Sequence, residues 1–514
     1  MKQTPSFLQS SNQEFPAQNS VEEFLGDDKL QESSTGRRDF LKFLGFSVAA
    51  ATVAACEAPV TKVIPYVNKP EEVTPGMPTW YASTYYDGAS YASILVKTRE
   101  GRPIFIKGNK DFGITNGAIN PQIAASVLSL YDSERLSRPT INGEPKSYTD
   151  IDKRVKAGLK SANKVVLVSN TLISPSMMIA ISEMKNALGD KFEHIQYDAV
   201  SYAGMRAANK ASFVENNEHT LDENGNETNV AEDRPGILPS YDFSKAKTIV
   251  SIGADFLSSW LMPTQFTGQY AKRRNPDGEW MSKHFQFESM MSLTGSNADV
   301  RAMIKPSEQA NVLSYMLKGF GVSSSVSSKL RTDVQKKADK AIASLKSSGA
   351  ESLVVCGSND TSVQILTNRL NKAIGAYTTT ININNEINLF ASEDEKMTSF
   401  VTDVVKGNAP DAVLFYGTNP VYTLPNGDQF AKGFKKVKTS VSMSLYADET
   451  ASLCKYVASD LHALESWKDH WPVWNHYAIS QPTIRQLHNT ASALESFLVW
   501  TGNTERGGKH SKVA

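Results

Sequence analysis

Lys164-Val165-Val166-Leu167-Val168-Ser169-Asn170 is an apolar run closed by polar residues. A strand with one wet face alternates apolar and polar side chains; a run with no alternation is covered on both sides. A helical pattern follows from Ser174 to Leu188, and a second strand pattern from His194 to Val200. The same design recurs at Thr248-Ile249-Val250-Ser251-Ile252-Gly253-Ala254-Asp255, at Ser352-Leu353-Val354-Val355-Cys356-Gly357 and at Ala412-Val413-Leu414-Phe415-Tyr416-Gly417. Apolar strands alternating with helices predict an α/β protein built on buried parallel sheets. Glycine after a strand can let a phosphate approach a helix N-terminus. These are lone glycines, without GxGxxG or GxxxxGK[ST], and the simpler reading is a tight turn at the strand end.

Upstream lies a different texture. Ile94-Leu95-Val96-Lys97-Thr98 and Pro103-Ile104-Phe105-Ile106-Lys107 flank Arg99-Glu100-Gly101-Arg102, which predicts a β-hairpin around a glycine turn. Helical spacing follows over Gln122 to Tyr131. Glu215 to Pro239 is acidic and rich in Asn and Gly, a long surface loop, and the Ser- and Lys-rich Lys318 to Ala350 reads as a link between two α/β units.

The 514 residues suggest several domains, and 40% hydrophobic with 21% charged residues is a globular composition. Fifty-four basic side chains balance fifty-four acidic ones, so there is no electrostatic reason to expect nucleic acid as a partner. No apolar run reaches the roughly 18 residues of a membrane-spanning helix. Three isolated cysteines, Cys56, Cys356 and Cys454, exclude a disulfide scaffold and a CxxC metal motif. Cys356 reads as a small core residue, and Cys454 as its counterpart beside Leu453 on a helix.

Gly36-Arg37-Arg38-Asp39-Phe40-Leu41-Lys42 precedes an apolar stretch from Phe43 to Ala55. Paired arginines before such a stretch are the pattern of a twin-arginine export signal. At 13 residues the stretch is about 10 Å too short to cross a bilayer core. Val53-Ala54-Ala55-Cys56 is similar to a lipobox, which predicts acylation of Cys56 and attachment to the membrane; cleavage after an Ala-x-Ala site, leaving a free thiol, is the alternative. Pro59, Pro65, Pro70 and Pro75 then make 57–76 an extended tether.

Near the other end, His470, His476, Trp467, Trp471 and Trp474 crowd one segment. Two histidines six residues apart without carboxylates are poor metal ligands, so packing or an interface is the simpler reading. No Ser/His/Asp or Cys/His constellation can be assembled, and no catalytic, cofactor-binding or metal residue is assigned.

Three sets of residues point further. Ile94 to Asp111 is followed by Tyr131-Asp132-Ser133-Glu134-Arg135-Leu136. Tyr241-Asp242-Phe243-Ser244-Lys245-Ala246 leads into Ser251-Ile252-Gly253-Ala254-Asp255-Phe256. Gly417-Thr418-Asn419-Pro420-Val421-Tyr422 is followed by Asp448-Glu449-Thr450-Ala451, Leu464-Glu465-Ser466-Trp467 and Ile479-Ser480-Gln481-Pro482. In this order they resemble the molybdopterin oxidoreductase family. Within it they are most similar to the N-terminal half of the large iron–sulfur subunit of alternative complex III, a quinol-oxidising respiratory assembly of bacteria.

The resemblance implies a [4Fe–4S] cluster held by cysteines around the first hairpin, and a molybdenum-bis(pterin) site. The corresponding segment here, Trp80 to Ser93, has no cysteine, nor has Gly117-Ala118-Ile119-Asn120. In place of the family's pterin-dinucleotide motifs stand Glu288-Ser289-Met290 and Pro306-Ser307-Glu308, with Ser201 the nearest candidate for a metal-ligating side chain. The expectation is a fold kept and its cofactors lost. Iron–sulfur clusters and haems would belong to a ferredoxin-like half beyond this sequence and to partner subunits.

The expected organisation is 1–56 export signal with lipobox, 57–76 tether, 77–160 small β-rich domain, 161–330 and 331–450 successive α/β domains, and 451–514 a segment leading to the absent half. The expected function is a redox-silent, lipid-anchored structural part of a quinol-oxidising complex on the periplasmic face of the inner membrane. Its partners would be integral membrane and multihaem cytochrome c subunits. The alternatives are a molybdenum-bis(pterin) oxidoreductase with a divergent site, and an extracytoplasmic solute-binding lipoprotein.

Overall fold

Strands β1 (Thr79–Tyr86), β2 (Tyr91–Arg99) and β3 (Arg102–Gly108) form an antiparallel sheet in that order. The expected hairpin is β2–β3: Arg99 pairs with Arg102, and Glu100 and Gly101 take positive φ of 52° and 75°. Two left-handed residues in succession give a turn whose twist matches that of the strands. Alternation sends Ile94, Val96 and Ile106 to the inner face, where they meet Ile123 and Val127 of helix Pro121–Ser129 and, from far along the chain, Leu464.

The computed structural model describes residues 76–213, 220–221, 227–228 and 236–507. Arg37, Arg38, Cys56 and the expected tether through residue 75 lie outside the described residues, as do most of the expected loop Glu215–Pro239 and the end of the C-terminal tail. Among the described residues no helix is long and apolar enough to cross a membrane.

After β4 (Thr140–Ile141), β5 (Glu144–Pro145) and helix Tyr148–Ser161 comes β6 (Val165–Ser169), buried at every position. Helix Pro175–Leu188 begins where Ser174 Oγ accepts from Met177 N at 3.1 Å and ends at Gly189 with φ 65°. The capping hydroxyl satisfies a free N–H of the first turn, and the glycine supplies a backbone conformation other residues resist. β7 (Phe192–Gln196), helix Ala203–Phe213, the small pair β8 (Thr220–Leu221) and β9 (Glu227–Thr228), and β10 (Pro239–Tyr241) follow.

The chain then builds a second sheet from β11 (Thr248–Ile252), β12 (Lys283–Glu288), β13 (Val300–Met303) and β14 (Ser352–Cys356). Its order is β13-β12-β11-β14, parallel throughout. β15 (Ile381–Glu386) pairs with β10, and β16 (Ala412–Tyr416), β17 (Thr439–Ser442) and β18 (Tyr456–Val457) return to the first sheet. That sheet has seven strands in the order β5-β4-β18-β17-β16-β6-β7, parallel from β18 to β7. A hairpin, β19 (Lys468–Val473) with β20 (His476–Ser480), and helix Ala493–Thr501 complete the described chain.

The fold is therefore α/β with parallel sheets and a small N-terminal β-rich part. The sheets are nested rather than successive, and the expected limits at 330 and 450 do not follow them: β11–β14 lie within the excursion between β7 and β16. Helix Thr332–Ser348, expected as a link, is the crossover from β13 to β14 and buries Val334, Ala338, Ala341 and Leu345 in the second sheet's core. Residues after 451 do not stand apart either. β18 enters the large sheet, and Phe497, Leu498 and Val499 join the core beneath it. Cys356 is buried at the end of β14, as expected; Cys454 is buried too, but follows a single turn, Ala451–Leu453, rather than lying on a helix.

Candidate functional site

In a parallel sheet, loops leaving neighbouring strands diverge where the strand order reverses, and the crevice at those carboxyl ends is where such folds hold ligands. The large sheet reverses between β6 and β16, since β6 leads out to β7 and β16 to β17. Asn170 and Gly417 stand at that point, with Asn170 N donating to Tyr416 O at 3.2 Å. Gly417 has φ 63°, and a Cβ built on it would lie 2.5 Å from Asn170 Oδ1. A Cβ on Gly88, in the β1–β2 turn, would lie 2.7 Å from Asn170 Nδ2. The Asn170 amide thus fills the crevice between two glycines.

The second sheet reverses between β11 and β14, where Gly253 and Gly357 meet back to back. A Cβ on Gly357 would fall 2.2 Å from Gly253 O, and one on Gly253 2.8 Å from Gln309 Nε2. All four glycines serve close packing within the protein. Gly357→Ala would push backbone against backbone, with no flexible side chain able to yield. We expect it to lower the free energy of unfolding by about 1–3 kcal/mol in urea titration.

Helix N-termini beside these crevices are also engaged. Asp469, from the β19 strand, accepts from Ser176 N at 2.9 Å, Ser176 Oγ at 2.8 Å and Ser174 Oγ, so the anion at the start of helix Pro175–Leu188 is the protein's own carboxylate. Burial alone would raise Asp469, but these hydrogen bonds outweigh it and hold it below the usual carboxylate range. Helix Thr361–Ile374 is capped by Asp360, whose Oδ1 accepts from Val363 N at 3.1 Å.

The residues standing in the pterin motifs are internally satisfied. Glu288 ends β12 with its carboxylate buried, accepting from Ser292 Oγ at 2.6 Å, Gln286 Nε2 at 3.0 Å and Arg301 Nε at 2.5 Å. Glu308 accepts from Lys305 N at 2.7 Å within its own turn. Ser201 Oγ donates to Asp394 Oδ2 at 2.5 Å and accepts from Ala203 N at 3.0 Å, which is the hydroxyl of a loop closing onto a helix.

Beside Asn170, Asp198 accepts from Thr171 N at 2.9 Å and Thr171 Oγ1 at 2.6 Å. Burial outweighs these hydrogen bonds and pushes the carboxyl up to about 6, with Asp394 adding repulsion. Arg206 carries the compensating charge; burial lowers its pKa against the pull of Glu386, Glu393, Asp198 and Asp394. The loops after β16 and β17 are tied by Asn419, which accepts from Thr450 Oγ1 at 2.7 Å and donates to Glu449 Oε2 at 2.7 Å.

The histidines of the late hairpin do not converge. His470 is buried, with Nε2 2.8 Å from Ser480 Oγ, whereas His476 Nε2 lies 2.9 Å from Tyr91 OH. Trp467 and Trp474 are exposed. Among the described residues no group of three or more His, Cys, Asp or Glu is placed to hold a metal ion.

These residues do not fit the cofactors that the resemblance implies. A [4Fe–4S] cluster needs four soft thiolates; the two described cysteines are buried in separate cores, and the β1–β2 segment supplies Tyr, Ser and Thr. A dinucleotide needs open backbone N–H groups at glycine turns and helix starts, but Gly253 N and Gly357 N donate to Phe287 O and Ile252 O, Asp469 and Asp360 accept from Ser176 N and Val363 N at two helix starts, Asn170 and Gln309 lie against Gly417 and Gly253, and Glu288 adds a carboxylate. Asn170 and Asp469 were not singled out from the sequence. An asparagine after a strand and an aspartate in a hairpin carry no local sign of what they will fill.

No model of a known protein family matches the chain. It is 23% identical to the molybdopterin-binding-like subunit of menaquinone reductase from Nitratidesulfovibrio vulgaris, over 80% of this chain and 63% of that protein. The chain therefore spans less than two thirds of that relative's length. Among solved structures it superposes on acetylene hydratase from Pelobacter acetylenicus with a TM-score of 0.58, covering 82% of this chain and 69% of that one at 13% identity. That enzyme has a molybdopterin oxidoreductase fold, so this chain is molybdopterin-oxidoreductase-like in fold.

Proposed function

We propose that this chain is a redox-silent structural part of a membrane-associated respiratory complex that oxidises quinol, of the alternative complex III type. One observation carries the reading: at both strand-order reversals the crevice is filled by the protein's own atoms, Asn170 in one and the Gly253–Gly357 contact in the other. A body that has closed its ligand sites while keeping the fold is suited to holding partners in register. The likeness to a molybdopterin-binding-like subunit of a menaquinone reductase supports a place in quinone-linked respiration.

On this reading the chain carries no cofactor. Iron–sulfur clusters and haems sit in the remaining part of the subunit and in integral membrane and multihaem cytochrome c partners, and electrons pass from quinol to cytochrome c or an oxidase. Arg37 and Arg38 direct export, and an acylated Cys56 fixes the chain to the periplasmic face of the inner membrane.

Purification of the tagged chain from its own membranes in mild detergent tests this. The expected result is a stable assembly containing covalently bound haem and able to reduce cytochrome c with quinol. Recovery of the chain alone, without haem or quinol oxidation, would overturn it.

A further inference from the structure

The crevices at the strand ends are closed, but a cleft of about 290 Å³ opens elsewhere, beside β7, the edge strand of the large sheet. It is bounded by helix Pro175–Leu188, the segment after β15, and β19. Its size is at the lower end of ligand sites, about 300 Å³, which suits a molecule of one or two rings. Met178, Ile181, Phe390 and Trp471 supply apolar walls.

Two polar side chains of β7 complete it, His194 and Gln196, two residues apart and so on one face of the strand. Ser169 Oγ lies 2.7 Å from Asn170 O and 2.9 Å from His194 Nε2, and with one hydroxyl hydrogen it makes both hydrogen bonds only by donating to Asn170 O and accepting from His194 Nε2–H. In that arrangement, which satisfies both contacts, Nδ1 is a bare acceptor without a partner among the described residues. Burial keeps the ring neutral, with its pKa pushed down to about 4. Gln196 Oε1 accepts from Leu172 N at 2.9 Å, leaving the Nε2 amide as a donor, again without a partner among the described residues. An acceptor and a donor side by side match a hydroxyl group, which gives one hydrogen and takes another.

Charge narrows the class further. Arg206 and Glu386 also border the cleft, and Arg206 already faces Glu386, Glu393, Asp198 and Asp394. An anionic ligand would add to an excess of carboxylates, whereas a neutral one meets apolar walls and the hydroxyl pair.

We propose that this cleft binds a small neutral aromatic alcohol of the phenol class, its hydroxyl donating to His194 Nδ1 and accepting from Gln196 Nε2. The site is independent of the structural role argued above and stands or falls separately from it.

Titration of the purified full chain with naphthol, its methyl ether and naphthoate, followed by calorimetry, tests this. Naphthol is expected to bind saturably at a single site. The ether, which cannot donate to His194, is expected to bind about tenfold more weakly, and the carboxylate more weakly than naphthol. Met178→Trp, on an exposed part of the helix, should fill the cleft and abolish binding with the thermal unfolding midpoint unchanged. Absence of saturable naphthol binding, equal affinity for the ether, or unaltered affinity in Met178→Trp would each overturn the assignment.

Discussion

Replacing Arg135 with methionine is expected to lower the free energy of unfolding by about 3–5 kcal/mol, the cost of leaving one buried charge without its partner. Arg135 Nη2 lies 2.7 Å from Glu465 Oε2, and both side chains are almost wholly shielded, 1% and 0% exposed. Nη1 also donates to Leu130 O at 2.7 Å, and Glu465 accepts from His462 N and Leu487 N, each at 3.0 Å. Burial would raise the Glu465 carboxyl, but the bonds from Arg135 and these backbone groups outweigh it and hold it low. The pair ties the end of the N-terminal β-rich part to the segment that delivers Leu464 into its core, so the damage should not be local. Glu465→Gln alone should cost a similar amount, since Arg135 is then the orphan. In the double variant Arg135→Met/Glu465→Gln no charge is buried, and the amide still accepts from a backbone N–H. Urea unfolding should find it more stable than either single variant. A double variant as unstable as the sum of the singles would show that the two side chains act separately.

Acid should destabilise the protein steeply as pH falls from 6.5 toward 4, beginning where an unfolded histidine takes up its proton. Burial depresses His194, His284, His462 and His470 to about 4 each. Their unfolded counterparts titrate near 6.5. A histidine depressed by folding contributes stability that is intact above its unfolded pKa and is lost as pH falls toward the folded value, because the unfolded chain takes up the proton first. At pH 5 that is about 2 kcal/mol for each ring. Asp198 works the other way. Its folded pKa of about 6 exceeds the unfolded value, so its contribution improves as pH falls through 6, offsetting about 1 kcal/mol. The net fall from pH 7 to pH 5 is about 7 kcal/mol, comparable to the whole stability of many domains. Urea midpoints measured across this range should drop sharply. A flat profile down to pH 4.5 would mean that the four rings are not neutral and buried.

The strands were legible because of where they lie. β6, β11, β14 and β16 are covered on both faces, and double burial writes an unbroken apolar run into the sequence. The β2–β3 hairpin was legible because Gly101 is the residue that its turn requires. The nesting was not, because a helix that crosses between β13 and β14 has the same apolar period as one that links two domains. Only strand pairing, hundreds of residues apart for β6 with β16, distinguishes them. The candidate site shows the same divide. The absence of cysteine around β1 and β2 can be read directly. That Asp469 caps a helix 295 residues away from it in sequence, or that Asn170 fills the gap between Gly88 and Gly417, depends on tertiary contacts that leave no local trace.

The central claim, a molybdopterin-oxidoreductase-like body whose own cofactor places are filled, is tested most directly by the molybdenum and pterin content of the chain after co-purifying subunits have been stripped from it. The expected result is no molybdenum and no pterin fluorophore after oxidation, with any iron leaving together with the partners. Molybdenum near one atom per chain, released with a pterin on unfolding, would contradict the account and return the chain to the enzymes.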